Sequence, residues 1–549
     1  MRNSTNEIQT TWSALTRLLG ILLIVPALFI AGCDDDDDDG VVTPPTNGGG
    51  NAVENVNYDT TEVAGGPDEI IVSDEADGRG IAYLDANGDP VTEVTWSSDF
   101  IYKLDGFVFV NEGETLNIEP GTIIQGEPGQ GADASSLIVT RFGTINADGE
   151  EDDGTINPII FTADGDNQGN GLGRDVRGRW GGVILLGNAP INSQPPTTQI
   201  EGIPDEVGGD RIRYGAENGD FDPNHSVGTF RYVSIRHTGT QLQGGDEIQG
   251  LTLGGVGAGS TIEYVESYAS DDDGFEWFGG TVNTKYLIAA FASDDAFDID
   301  EGYQGSNQFW LAVQLADNAG RIGEHDGGTD PEDGTPLATS VVSNATYIGI
   351  GPGISDGQIS GDGNNPFLFQ RDNNATSYHN TIFMDGRTNK GLNIEDLGSG
   401  EDARARWLAG DLTHENNLWW RIGPDYDNNT TFEDIIQIPR DDNDNPTGDG
   451  GEGWITTLAD DLRDKGNELI DLDGDLPIQS IERENGDGEV ITFDPSASGD
   501  ATSGAQQPAD FGATGGQNAE WTNVSYRGAF GSENWADWAL ISQQTLQDQ

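Results

Sequence analysis

Between residue 70 and about residue 393 the apolar positions come in short bursts separated by Gly, Asn and Asp. Leu116-Asn117-Ile118, Leu137-Ile138-Val139, Val183-Ile184-Leu185-Leu186, Tyr232-Val233-Ser234-Ile235, Ile262-Glu263-Tyr264-Val265 and Tyr286-Leu287-Ile288-Ala289 set the pattern. Few stretches carry a helical period, so the bursts read as short strands ended by turn residues. They also recur. Tyr268-Ala269-Ser270-Asp271-Asp272-Asp273-Gly274-Phe275-Glu276-Trp277 matches Phe291-Ala292-Ser293-Asp294-Asp295-Ala296-Phe297-Asp298-Ile299 at an offset of 22 or 23. A period in the twenties built from strands and glycine turns implies a solenoid, in which each unit buries its face only against its neighbours. The fixed Leu and Asn pattern of leucine-rich repeats is absent, and propeller blades need about twice the period. The reading is an all-β, right-handed parallel β-helix over residues 96–393, with Phe275 stacked on Phe297 in consecutive coils.

That register brings acidic residues together. Alternation turns Phe275, Trp277, Phe297 and Ile299 inward and leaves the acids outside. Neighbouring coils are about 4.8 Å apart, so the carboxylates stack and repel unless a proton or cation lies between them. Hard oxygen ligands in such number suit Ca²⁺. The expected ligands are Asp272, Asp273, Asp294, Asp295, Asp298, Asp300 and Glu301, with Glu276 placed above Asp298. The competing reading is a solvated acidic ladder screened by salt. A second Ca²⁺ candidate is Asp471, Asp473 and Asp475 with Glu482 at the twelfth position, an EF-hand-like spacing in which Leu476 replaces the turn glycine. Asp85, Asn87 and Asp89 start the same spacing without its final Glu.

The flanks read differently. Arg2 and Arg17 precede an apolar run over residues 18–30, and Ile30-Ala31-Gly32-Cys33 follows. A positive flank, a short apolar core and small residues before a cut mark a secretory signal over residues 1–32. In residues 33–57, six Asp follow Cys33 and the stretch continues in Gly, Pro, Thr and Asn, which predicts a disordered tether. Residues 58–95 serve as a lead-in. Residues 394–549 hold seven of the twelve Trp; they read as a C-terminal cap with long loops, including a helix from Leu458 to Leu469, because an open solenoid end must be covered.

The chain carries 96 acidic and 25 basic residues, a formal charge of −71. Such a surface repels nucleic acid and anionic lipid alike. Salt adaptation accounts for the whole of this charge, whereas Ca²⁺ accounts only for its clusters. With Cys33 as the single cysteine there is no intrachain disulfide.

The junction before Cys33 resembles the lipobox of bacterial lipoproteins, which implies a lipid on Cys33 and a membrane anchor. The acidic tract behind it resembles the export tag of Bacteroidetes-type surface lipoproteins, implying the outer membrane with the protein facing the exterior. Leu116 to Ile124, Pro158 to Ala163 and Arg179 to Ala189 resemble the opening coils of poorly characterised surface lipoproteins of that type, built on the pectate-lyase-like β-helix. The resemblance implies the architecture and no agreed activity. The Asp294-Asp295 pair is superficially similar to the aspartates of polygalacturonases, but their Gly-His-Gly and Arg-Ile-Lys elements are missing. Arg236, His237, Arg321 and Arg371 are the available bases or anion contacts, and the five His show no zinc spacing. The resulting expectation is a non-catalytic surface lipoprotein binding a glycan, a nutrient polymer or a cell-surface partner such as an outer-membrane importer. The alternative is a polysaccharide lyase or glycoside hydrolase working on the 271–301 face.

Overall fold

The computed structural model describes residues 58–544 except 64–65, 75–79, 86, 167–170, 243–245, 317–318, 329–330, 355–365, 387–389, 399, 424, 441–444, 487 and 514–518. Cys33, the signal and the tether lie outside the described residues.

The short strands stack in parallel ladders on three faces. Face one is a ten-stranded sheet from Phe107–Val110 to Ile436–Gln437. Faces two and three merge into one twenty-stranded sheet, because Gly228–Arg236, Thr261–Tyr268 and Thr284–Ala290 each run from one face to the next. The chain is a parallel β-helix. Phe275 pairs with Phe297 in consecutive coils, and their rings stack at 5.5 Å.

The bend between faces two and three has a specific chemistry. Tyr232, Tyr264, Tyr286 and Phe309 sit there with φ of 51°, 53°, 58° and 62°, a left-handed conformation that disfavours bulky residues. Their rings form a column at 4.4, 4.2 and 4.9 Å between successive members. Aromatic pairs contribute about 0.5–1.5 kcal/mol beyond burial, enough to offset strain of about 1–3 kcal/mol. In later coils the same corner is taken by Asn344, Asn380 and Asn416, a residue type that tolerates this conformation.

The parallel ladders exceed the span read from the sequence. They begin at Glu69–Val72, paired with Ile101–Leu104, and continue past 393 to Ile436–Gln437 and Glu468–Ile470. The late coils use strands of two or three residues interrupted by the helices Ala403–Ala409 and Glu452–Asp464, so the periodic signal fades. The second helix starts six residues before the expected Leu458 and ends before Leu469. It closes the core with Trp454, Leu458 and Leu462.

The remaining C-terminal residues run back along the flank of face three instead of sitting over the end. The hairpin of Ile478–Arg483 with Val490–Ala497, together with Ala529, Phe530 and Leu540, buries the outward side chains Ile288, Leu311, Ile348, Ile382 and Leu418. Trp538 reaches Tyr232 at 5.8 Å. The fully buried Glu266 accepts hydrogen bonds from the amides of Leu540 (3.0 Å) and Ile541 (2.9 Å). An excursion between residues 188 and 227 covers the early part of face one, placing Ile191, Ile200 and Tyr214 over Phe109, Ile184 and Phe278.

Candidate functional site

Along face one, one outward row runs through Ile138, Ile184, Thr252, Glu276, Asp298, Glu324, Phe369, Asn393 and Gln437. The first two are buried under the excursion. Where that cover ends, the row turns acidic for three consecutive coils and then presents Phe369.

Turns at either end of these strands add more acids. Asp273 is buried and its Oδ1 accepts the Asp295 amide at 2.8 Å. Asp295, also buried, accepts the Arg321 amide and faces Arg321 Nη1 at 3.5 Å. Arg321 donates to Glu324 Oε2 at 2.5 Å. Arg371 donates to Asp326 Oδ2 at 2.7 Å and lies 3.4 Å from Glu324 Oε1. Phe369 stands between these two cations, with guanidinium carbons 5.5 and 5.8 Å from its ring centre.

The row therefore has two halves. Asp295, Glu324 and Asp326 are neutralised by arginines. Asp273, Glu276 and Asp298 have no salt-bridge partner among the described residues, yet one oxygen from each lies within 4.8 Å of the others. Asp272, Asp273 and Asp294 form a second such group. Burial, followed by the surrounding carboxylates, pushes Asp273, Glu276, Asp295 and Asp298 well above the ordinary carboxylate range. Burial with Asp294 and Glu247 nearby takes Asp272 to about 8, and burial with Asp326 and Glu301 nearby takes Asp300 to about 8.

These directions give a pH prediction. An acid whose folded pKa is raised binds more protons folded than unfolded, so stability falls as pH rises from its unfolded value, about 4, to its folded one. The buried His237, His325 and His414 are shifted down by desolvation and oppose this trend only below about pH 6.5. In EDTA at fixed salt the melting temperature should fall between about pH 6.5 and 8. A rise across that window, read by thermal melts, would contradict the buried acid row.

Of the residues expected from sequence, Asp272, Asp273, Asp294, Asp295 and Asp298 converge on this row. Asp300 accepts the Glu301 amide at 2.6 Å, and Glu301 turns to the excursion, accepting Ser193 Oγ at 2.6 Å. The EF-hand-like set is not assembled. Asp471, Asp473 and Asp475 are exposed in the turn after Glu468–Ile470, and Glu482 sits in a strand opposite Thr492. No helix flanks that turn to aim the carboxylates inward. Asp85 is occupied by its own hairpin turn, accepting the amides of Asn87 (2.8 Å) and Asp89 (2.9 Å).

Glu324, Asp326, Glu201 and Glu247 escaped the sequence reading. Glu324-His325-Asp326 repeats the acid-x-acid pattern of Asp298-Ile299-Asp300 one coil later, a legible signal. Glu201 arrives from the excursion and carries no such signal.

With this geometry in hand, the comparison with known families is decisive for the architecture. Residues 88–453 match the model of the pectate-lyase-like β-helix domain. The chain belongs to that family. No curated protein and no solved structure matches it. Membership in the pectate-lyase-like β-helix family fits binding and lyase or hydrolase roles equally, because function lives in sites grafted on folds.

The site's bases discriminate better. The hydrogen bond with Asp326 pushes Arg371 further above its already high range, which holds it charged and unfit to take a proton. Desolvation lowers His325 to about 3, but this ring is interior, bonded through Nε2 to Tyr378 Oη at 2.6 Å. His237 Nδ1 contacts Val176 O at 2.6 Å. Arg236 is buried in the flank, donating to Ser234 Oγ at 2.7 Å.

Proposed function

We propose that this member of the pectate-lyase-like β-helix family is a surface lipoprotein that binds a polymeric glycan without cleaving it, along the outward row of face one. The observation that carries the reading is Phe369, partly exposed on that row and bracketed by Arg321 and Arg371, both held cationic by carboxylates. An aromatic surface with a few fixed polar groups is the composition of a ligand site, and the ion pairs of Arg321 with Glu324 and of Arg371 with Asp326 disfavour either guanidinium as the base of a lyase. Anchoring through a lipid on Cys33, outward-facing on an outer membrane, completes the proposal. Among the described residues no helix is long and apolar enough to cross a membrane.

The test is affinity electrophoresis of the purified chain against a panel of soluble neutral and acidic polysaccharides. Phe369→Ala should weaken retention about tenfold, the equivalent of about 1.4 kcal/mol, with no new reducing ends or unsaturated sugars. Released sugar would favour the lyase or hydrolase reading, and unchanged retention in Phe369→Ala would remove the row from the function. Lipid labelling of cells should be lost in Cys33→Ser; equal labelling would refute the anchor.

A further inference from the structure

We infer that Asp273, Glu276 and Asp298 form a binding site for one hard divalent cation, of the Ca²⁺ class, clamping two consecutive coils of face one. The inference is independent of the glycan reading.

Asp273 and Glu276 belong to one coil and Asp298 to the next, with Glu276 and Asp298 directly paired in the ladder. One oxygen from each of the three lies within 4.8 Å of the others. A cluster of acids alone would mean little in a chain of this charge. The independent observation is at the tip of Glu276: this side chain is only 6 % exposed, and its Oε2 is buried without a hydrogen-bond partner. Asp298 Oδ1 is buried and unpartnered beside it. A buried carboxylate oxygen with no donor costs more than an ordinary lost hydrogen bond, and here two such oxygens lie on adjacent coils.

The contrast with the neighbouring acids sharpens the assignment. One coil farther on, the same row and its turn are satisfied by protein cations: Arg321 serves Asp295 and Glu324, and Arg371 serves Glu324 and Asp326. The fold thus neutralises buried acids on this face where it keeps them, and the stretch from Asp273 to Asp298 lacks that provision from the chain. An ion supplies it.

The donor set is all carboxylate oxygen, which excludes soft metals. The spacing comes from the ladder and is rigid. Ca²⁺ takes about six to eight oxygens in flexible geometry, whereas Mg²⁺ demands a near-ideal octahedron and sheds its water reluctantly. A set of carboxylates held on two coils therefore favours Ca²⁺.

The test uses the full chain stripped with EDTA and held in NaCl buffer, with Ca²⁺ uptake measured by equilibrium dialysis and metal analysis. The expected result is one Ca²⁺ per chain, undisplaced by Mg²⁺ at matched ionic strength, with a Ca²⁺-dependent rise in melting temperature. Glu276→Gln and Asp298→Asn should each weaken uptake about a hundredfold, at least the loss seen when residues supporting a ligand are removed. Asp475→Asn, exposed and remote from the row, should bind as wild type. Circular dichroism in NaCl without Ca²⁺ separates a lost site from a lost fold. If either variant is misfolded there, the other and the wild-type stoichiometry still decide. Absence of stoichiometric uptake by the wild type, or full uptake by a folded Glu276→Gln, overturns the site. In the first case NaCl alone would restore stability and the acidic row would be salt adaptation.

Discussion

Replacing Trp310 by alanine should cost the fold about 3–5 kcal/mol, the range for removing a large buried aromatic from a core that cannot collapse around the gap. Trp310 is fully buried, stacked on Phe297 at 4.3 Å and on Trp277 at 5.1 Å, and its Nε1 donates to Thr284 Oγ1 at 3.0 Å. It thus links three consecutive coils: Trp277 below, Phe297 beside it, and its own bend between faces two and three. In a solenoid each coil is stabilised only by its neighbours, so a hole here weakens the interfaces on both sides. Relaxation is restricted because the backbone spacing is set by the ladders and not by the side chains. Trp310→Phe should lose much less, since it keeps a ring in the column, and Thr284 Oγ1 retains Asn307 Oδ1 as a partner at 2.8 Å. Urea unfolding at fixed salt measures both. A loss below about 1 kcal/mol for the alanine variant, a typical surface-scale effect, would show that the aromatic column is not a main source of stability.

The interior stack of Phe275, Trp277, Phe297 and Trp310 shows why the fold is legible in the sequence and parts of the site are not. Phe275 and Phe297 repeat at a fixed offset because each coil must present an apolar side chain at the same place, and such a constraint prints itself in sequence. Glu276, Asp298 and Glu324 follow automatically, since alternation fixes what lies one position away. The legible signal weakens once interior positions are satisfied in other ways. In later coils His325, Gln370 and His414 are interior, with His414 Nε2 2.7 Å from Gln370 Oε1, so apolar periodicity fades while the ladder continues to Glu468–Ile470. The C-terminal Trp residues read from sequence as part of a cap over the solenoid end, and the sequence does not say that this segment covers the flank of face three. Tyr232, Tyr264 and Tyr286 read as strand residues; their left-handed φ makes them the corner on which Trp535 and Trp538 rest. Arg321 and Arg371 were visible as bases or anion contacts. Only the register over Glu324 and Asp326 reveals that the carboxylates keep them charged.

Asp385→Ala should cost about 3–5 kcal/mol as well, through a different mechanism: truncating one member of a buried charged group leaves the others without their counter-ion. Asp385 is 1 % exposed and receives Arg483 Nε at 2.8 Å and Arg483 Nη2 at 2.6 Å, with Arg421 bonded to its other oxygen. Arg483 comes from the hairpin that covers face three, and it also donates to Gly349 O at 2.9 Å, so this group ties the returning segment to the β-helix. Loss of the carboxylate strands Arg483 in a dry interface, and the least costly escape is to lift the hairpin into water. That would uncover Leu311, Ile348, Ile382 and Leu418 while the parallel ladders remain intact. The expected observation is early proteolytic cleavage within residues 478–541 and binding of a hydrophobic dye, with the far-ultraviolet circular dichroism of the strands preserved. Asp385→Leu combined with Arg483→Met should recover part of the loss, because replacing a buried ion pair by apolar groups of similar volume is often neutral or stabilising, while Arg421, nearer the surface, is left to water. If the single variant is cleaved no faster than wild type in this segment, the charged group does not hold the flank. If the double variant is worse than the single one, Arg483 stabilises the hairpin through its backbone acceptors and not through Asp385.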